Sequence, residues 1–258
     1  MTRRKVYLHN AMLLTASGFI LRMLGMGFRV VLSAYLGGEG MGLYQLILSL
    51  YMVFVSLATA GINVAATRLA AQSLARGQGM GATLRGLCAT ALAFGTAAML
   101  AQTVLAGPAS RFLLHDARAE AALRVLAPSL PFMAVAGALR GCFLAARRVT
   151  PNVMAQLIEQ FVRMGVAVAG LRVMAQWGGG YGCAAVVLGN TVSEGVSCGL
   201  MLLFAARTQE FRRQRQEPLH PYTQRELYEI ILPVTGNRLL GSGLQAVESS
   251  LLRKNFLS

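Results

Sequence analysis

Charged side chains sit inside apolar stretches long enough to cross a membrane, and that combination constrains this chain more than any other feature. Apolar runs of about 20 residues, enough to cross a hydrocarbon core of about 30 Å, recur from the N-terminus onward. Within them stand Arg22, Arg29, Arg140, Glu159, Arg163 and Glu194. A charge at the bilayer centre costs about 2.5–3.5 kcal/mol on insertion scales unless it faces a wet cavity or a partner. A span that only anchors has no use for such residues. The expected product is an all-α, multi-pass membrane protein enclosing a polar cavity, with function in the lining of that cavity.

Composition agrees. Only 13% of the 258 residues are charged, where a soluble domain has about a quarter, and mean hydropathy is +0.54. A net charge of +14 would point to nucleic acid in a soluble chain. Here most basic residues lie in short loops between spans, which is a topology signal, so no nucleic-acid partner is expected. Loop arginines also suit anionic lipid headgroups. Cys88, Cys142, Cys183 and Cys198 form no C-x-x-C pair, and His9, His115 and His220 are scattered. No metal site and no disulfide framework follow. No G-x-x-x-x-G-K-[ST] motif appears, so no bound nucleotide is expected to drive transport. No cofactor is expected, and the chain is read as a transporter component rather than an enzyme. The basic N-terminus leads into an apolar run that continues to Leu36 without an A-x-A site. It reads as a first transmembrane helix and not as a removable signal peptide.

Six spans are expected, near 8–36, 43–71, 82–106, 121–146, 152–175 and 183–206, with a seventh starting at 227. Residues 1–206 then form a six-helix N-terminal lobe, 207–226 a basic cytoplasmic linker, and 227–258 the start of a second lobe. The turn 37–42 (GGEGMG) and the pair Gly107-Pro108 close the first and third spans. Pro128 and Pro131 should bend the first half of the fourth, because each leaves a carbonyl without its helical partner. Arg3, Arg4 and Lys5 share a side with Arg76, Arg85, Arg147, Arg148, Arg207, Arg212, Arg213, Arg215 and Arg225, whereas the opposite loops hold fewer arginines offset by Glu39, Asp116 and Glu120. The positive-inside rule makes the N-terminus cytoplasmic.

Polar residues fall in stripes at helical spacing. Gly18, Arg22, Gly25 and Arg29 share a face of the first span; Gln45, Ser49, Ser56, Thr59, Asn63 and Thr67 one of the second; Gln156, Glu159, Gln160 and Arg163 one of the fifth. Asn190, Glu194 and Ser197 lie in the sixth, and Arg140 in the fourth. Interhelical hydrogen bonding is the simple explanation for Ser49, Thr59, Asn63 and Ser197. Snorkelling to the cytoplasmic edge is the simple explanation for Arg140. Glu159 and Arg163 are one turn apart and can pair, structurally or functionally. Arg22 and Arg29 are like charges with no acid in their own span. Guanidinium forks suit phosphate oxygens, so an arginine-lined cavity points to a phosphate-bearing substrate. The expected cavity residues are Arg22, Arg29, Asn63, Arg140, Glu159, Arg163 and Glu194.

Several segments occur together in a recognisable order: Gly37-Gly38-Glu39-Gly40-Met41-Gly42-Leu43-Tyr44-Gln45, Thr59-Ala60-Gly61-Ile62, Leu139-Arg140-Gly141 with Thr150-Pro151, Gln156-Leu157-Ile158-Glu159-Gln160-Phe161-Val162-Arg163, and Ile231-Leu232-Pro233-Val234-Thr235. With them the chain resembles the polysaccharide-export branch of the multidrug/oligosaccharidyl-lipid/polysaccharide flippase superfamily, and within it the stage V sporulation protein B family. The resemblance implies two six-helix bundles around an alternately opening cavity. It also implies movement of lipid-linked saccharide or peptidoglycan precursors across the cytoplasmic membrane, with first-helix arginines on the pyrophosphate. The ending VESSLLRKNFLS departs from that family, whose members are about twice as long. A truncated or frameshifted product, a fragment, or half of a two-chain transporter needing a second lobe or chain, is expected. The rival functions are a cation-coupled multidrug exporter of the same superfamily, which would favour an acidic cavity, and an inactive membrane scaffold.

The arginine asymmetry places residues 73–81, 147–150 and 207–225 in the cytoplasm and 37–42, 107–120 and 177–182 outside. In a cysteine-free background, Arg213→Cys should resist an impermeant thiol reagent in intact cells and react once the membrane is opened. Labelling from outside would invert the topology.

Overall fold

The computed structural model describes residues 3–59, 61–76, 80–114, 116, 118–174 and 182–212. Among them all regular structure is helical: α1 (Arg3–Thr59), α2 (Ile62–Ala75), α3 (Met80–Ala109) running into a π-helical turn (Ser110–Leu114), α4 (Arg118–Leu126), α5 (Ser129–Ala145), α6 (Thr150–Met174), α7 (Gly182–Arg207) and α8 (Gln209–Arg212). Most of the basic linker and the expected seventh span lie outside the described residues.

A straight helix of 57 residues would be about 85 Å long at 1.5 Å per residue, more than twice the hydrocarbon core. α1 instead breaks at Gly37, with φ 68 and ψ −177, a conformation that glycine adopts without a Cβ penalty. The two limbs fold back. Near one end, Asn10 Nδ2 donates to the Arg147 carbonyl at 3.0 Å, and Ala71, Leu74 and Ala75 of α2 gather round Ala145–Arg147. Near the other, the Cys183 thiol donates to the Gly40 carbonyl at 3.4 Å. The expected six-residue turn at 37–42 is thus a single-residue reversal, because one positive φ suffices and residues 38–42 are helical. Glu39 then sits in the first turn of the second limb, where the helix dipole favours an acid.

Two further breaks shape the bundle. Gly61, left-handed at φ 71, divides the second span, which the sequence presents as one helix. The third span does not close at Gly107-Pro108; it stays helical to Ala109 and continues through the π-helical turn, where Ser110 Oγ donates to the Gly107 carbonyl at 2.8 Å.

Pro128 interrupts the fourth span as anticipated, between α4 and α5. The carbonyls around this break find donors. Leu130 N–H reaches Ala127 O at 3.2 Å, standing in for the N–H that Pro131 lacks. Ser129 Oγ donates to Leu126 O at 2.5 Å, and the Tyr51 hydroxyl of α1 lies 2.6 Å from that Oγ. Thr191 Oγ1 of α7 donates to Val125 O at 2.7 Å. Gln102 Nε2 of α3 donates to Leu123 O at 2.7 Å. The break thereby fastens three neighbouring helices to α4–α5.

Four stretches of the described residues are long and apolar enough to cross a membrane: Asn10–Ala75, Thr83–Phe112, Arg118–Ala145 and Gly182–Arg207. The first folds back and supplies two crossings. α6, with 25 residues, is about 37 Å long and lies outside that set; it carries Glu159, Arg163 and Arg172. Large apolar side chains such as Phe19, Val30, Leu100, Val104 and Phe161 face outward, as lipid-facing residues do. Lipid tails give no hydrophobic drive between helices, so close packing holds them together. α5 is the hub: its Leu139 and Phe143 are fully buried with Leu69 of α2, Leu87 of α3 and Met201 of α7. A Cβ at Gly95 of α3 would lie 2.5 Å from Pro131 Cα, and one at Gly141 of α5 would lie 2.8 Å from Asn63 O.

Gly95→Ala should destabilise the detergent-solubilised protein by about 1–3 kcal/mol, since the proline backbone opposite cannot yield. Gly86→Ala, on the same helix with open space around it, should leave the melting temperature unchanged or raise it.

Candidate functional site

Four charged residues meet where α5, α6 and α7 pack. Glu159 and Arg163 are one turn apart on α6, and Arg163 Nη2 lies 2.8 Å from Glu159 Oε1. Glu159 Oε2 takes Arg140 Nη2 of α5 at 2.7 Å. One carboxylate thus holds guanidiniums from two helices. Glu194 of α7 approaches Arg163 Nη2 less closely, at 3.5 Å. Two serines complete the α7 face: Ser197 Oγ accepts from Arg140 at 2.8 Å, and Ser193 Oγ lies 3.4 Å from Arg163 Nε. Asn152 Nδ2 donates to the Arg140 carbonyl at 3.1 Å.

The cluster is graded by depth. Side-chain exposure is 3% for Glu194, 13% for Glu159, 22% for Arg140 and 25% for Arg163. The carboxylates are innermost and the guanidiniums reach toward the open side. The two positive and two negative charges cancel, which lets four ionisable groups lie inside a membrane bundle. Satisfaction is incomplete: among the described residues Arg140 Nε and Glu194 Oε2 are buried without a partner. Arg140 does not stand as a lone arginine reaching for the membrane edge; it is clamped between α6 and α7.

Of the seven residues singled out from sequence, Arg140, Glu159, Arg163 and Glu194 are brought together, and Arg22, Arg29 and Asn63 are not part of the cluster. Arg22 and Arg29 are exposed on the first limb of α1. Among the described residues neither has an ion pair or hydrogen bond. Phe28 and Leu32, beside Arg29, are buried against Ala167 and Leu171 of α6 and Val186 of α7. Asn63 is exposed at the α2–α5 contact, where its Oδ1 would be 3.0 Å from a Cβ at Gly141. Ser56, Thr59 and Thr67 of the second-span stripe donate to Met52, Val55 and Asn63 carbonyls one turn back. Thr59 therefore spends its hydroxyl within its own helix; Ser197 does bond across helices. Sequence reasoning passed over Tyr51, Gln102, Ser129, Thr191 and Ser193. The signal for the first four was Pro128: a buried break needs donors, and these are the polar residues that supply them.

The helical bundle with ion pairs inside its spans defines a multi-pass membrane protein. The chain belongs to the family described as polysaccharide biosynthesis protein, whose model matches residues 7–253. It is 28% identical to stage V sporulation protein B of Bacillus subtilis (strain 168) over 93% of this chain and 47% of that protein. It is 26% identical to the lipid II flippase MurJ of the same organism over 61% of this chain and 31% of that one. The chain thus spans at most about half the length of these relatives. Among solved structures it resembles MATE in complex with Br-NRF, with a TM-score of 0.60 and 17% identity over 93% of this chain and 58% of that one. MATE in the straight conformation gives a TM-score of 0.58 at 17% identity, over 88% of this chain and 52% of that chain. These two likenesses concern the fold.

Glu159→Gln should destabilise the protein by on the order of 3 kcal/mol, because it leaves Arg140 without a carboxylate and Arg163 with only the longer Glu194 contact. Adding Arg140→Gln should recover part of that loss, so the double variant melts above the sum of the single effects. Strict additivity in a double-mutant cycle would break the pairing argument.

Proposed function

We propose that this chain is the N-terminal lobe of a flippase that moves a polyprenyl-pyrophosphate-linked saccharide or peptidoglycan precursor across the cytoplasmic membrane, with its N-terminus in the cytoplasm. The observation that carries this reading is the pair Arg22 and Arg29. They are exposed on a membrane-length helix and lack a protein counter-charge among the described residues, in a chain of a polysaccharide-biosynthesis family. Guanidiniums at that depth are too costly to leave in lipid. They belong in a wet cavity, and the anion that suits their planar fork is phosphate.

The two arginines are seven residues apart, about 10 Å along the helix at 1.5 Å per residue. That spacing fits a pyrophosphate and its adjoining sugar, or hand-over of a phosphate as the cavity reopens. Glu159, Arg163 and Glu194 shape the wall beside them, and Asn63 and Arg140 lie farther along it. A second lobe, on this chain's continuation or on another chain, provides the opposite wall. An acidic pocket for cationic drugs fits poorly, because the carboxylates are the most deeply buried members of the cluster. A relative named as a lipid II flippase supports the lipid-linked substrate class.

The test is precursor export in cells carrying both lobes. Arg22→Ala and Arg29→Ala should each reduce export at least about tenfold, a loss typical of a charge-assisted hydrogen bond, with membrane protein level unchanged. Lys at either position should restore only part, since it keeps the charge and loses the fork. Full export by the Arg22→Ala/Arg29→Ala double variant would defeat the proposal.

A further inference from the structure

A groove opens where two membrane-length stretches end. Ala71, Leu74 and Ala75 of α2 line a cavity of about 410 Å³ together with Ala145, Ala146 and Arg147 at the C-terminal end of α5. The apolar stretches Asn10–Ala75 and Arg118–Ala145 stop at these same walls. The groove therefore stands at the depth of the lipid headgroups, where hydrocarbon gives way to water. Its floor is apolar, and Ala71, Leu74 and Ala75 are exposed.

The charge around it has one sign. Arg76 caps α2 next to the groove wall, and Arg148 follows Arg147; all three arginines are exposed. The sequence has no aspartate or glutamate from 40 to 115 or from 121 to 158, so neither segment that builds the groove carries an acid. The helix dipole favours a cation near a C-terminus, but that does not account for the backbone of Arg147. Among the described residues it is the one non-glycine residue with positive φ, at 57. Its N–H donates to Leu144 O at 3.0 Å, and that of Arg148 donates to Phe143 O at 2.9 Å. Glycine usually closes a helix in this way. An arginine in the last turn would meet the dipole without left-handed backbone. The left-handed turn instead brings Arg147 into the cavity lining. Its carbonyl accepts from Asn10 Nδ2 at 3.0 Å, so the first limb of α1 is tied to the same point.

We propose that this groove binds an anionic phospholipid of the surrounding bilayer, with the phosphate on Arg147 and the first carbons of an acyl chain along Ala71, Leu74 and Ala75. An apolar floor suits an amphiphile better than a hydrated inorganic anion, and basic clusters at the membrane surface attract anionic lipids. Arg76 and Arg148 add to the positive field at the rim. The site is separate from Arg22, Arg29 and the ion cluster, and it does not depend on which substrate the lobe carries. A lipid held there joins α2 to the turn after α5, to which Asn10 already fastens α1.

The experiment is native mass spectrometry of the detergent-purified chain, titrated with phosphatidylglycerol, phosphatidylcholine and glycerol 1-phosphate. Phosphatidylglycerol should bind at least about tenfold more tightly than phosphatidylcholine, the worth of a charge-assisted hydrogen bond. Arg147→Gly removes the guanidinium and suits the left-handed backbone. It should weaken phosphatidylglycerol binding about tenfold. Arg147→Lys, which keeps the charge in the same backbone, should retain most of the affinity. Arg124→Gln, whose arginine is paired with Glu120 on α4, should bind as the parent does. Equal affinity for the two phospholipids overturns the site, and so does parental affinity in Arg147→Gly. Binding in Arg147→Lys as weak as in Arg147→Gly overturns recognition by charge. Glycerol 1-phosphate bound as tightly as phosphatidylglycerol marks a free-phosphate site and overturns the lipid as its occupant.

Discussion

Glu159 neutralises two arginines from two helices at once, and the packing of α5, α6 and α7 depends on that bridge. Its two oxygens face different partners, Arg140 of α5 and Arg163 of α6. Serines of α7 take up further guanidinium N–H groups. Remove the carboxylate and two guanidiniums would share Glu194 alone in a low-dielectric interior. Keep it and α5 is joined to α6 at 2.7 Å, while Arg140 reaches Ser197 of α7 at 2.8 Å. Such a bridge is worth more as a determinant of geometry than as a source of net stability, because desolvation offsets much of the attraction.

The same demand, that polar groups inside a membrane find protein partners, explains the other fixed points. A proline in a soluble helix can leave its orphan carbonyl to water. Between α4 and α5 the Leu126 and Val125 carbonyls instead take up Ser129 and Thr191, with Tyr51 behind Ser129, and Gln102 adds a second donor at Leu123, which already accepts from Ala127 N–H. Each donor comes from α5 itself or from a helix packed on it, so the break also sets the register of its neighbours. The hydroxyls of Ser56, Thr59 and Thr67 show the alternative outcome. They close on their own helix backbone and fix nothing beyond it.

Much of this was legible in the chain. Apolar length gave the membrane-length helices, and the i,i+4 spacing gave the Glu159–Arg163 pair. Pro128 gave the break in the fourth span. What spacing within a helix cannot give is which helix faces which. The partner of Arg140 is 19 residues away and Ser197 is 57 away, so Arg140 looked like a snorkelling arginine. Gly61 was equally opaque. A single glycine among apolar residues is as compatible with a continuous helix as with a left-handed break, and only its φ of 71 distinguishes them. The segment 37–42 misled in the opposite direction: four glycines in six residues resemble a loop, yet only Gly37 leaves the helical conformation.

The intramembrane charges divide into two classes that need each other. The buried set, Arg140, Glu159, Arg163 and Glu194, is neutral and self-contained, and it makes a polar interior tolerable. The exposed pair, Arg22 and Arg29, is wholly positive and has no acidic partner among the described residues. A lobe with only the first class would be a well-packed scaffold with nothing to offer an anion. A lobe with only the second would have no polar frame against which to hold one. Arg163 is held firmly by Glu159 at 2.8 Å and loosely by the more deeply buried Glu194 at 3.5 Å. Under the proposed function, the long Glu194 contact is the one that can give way without disturbing the Glu159 bridge that holds the helices. That is the property a wall needs if it is to grip a charged headgroup in one conformation and let it go in another.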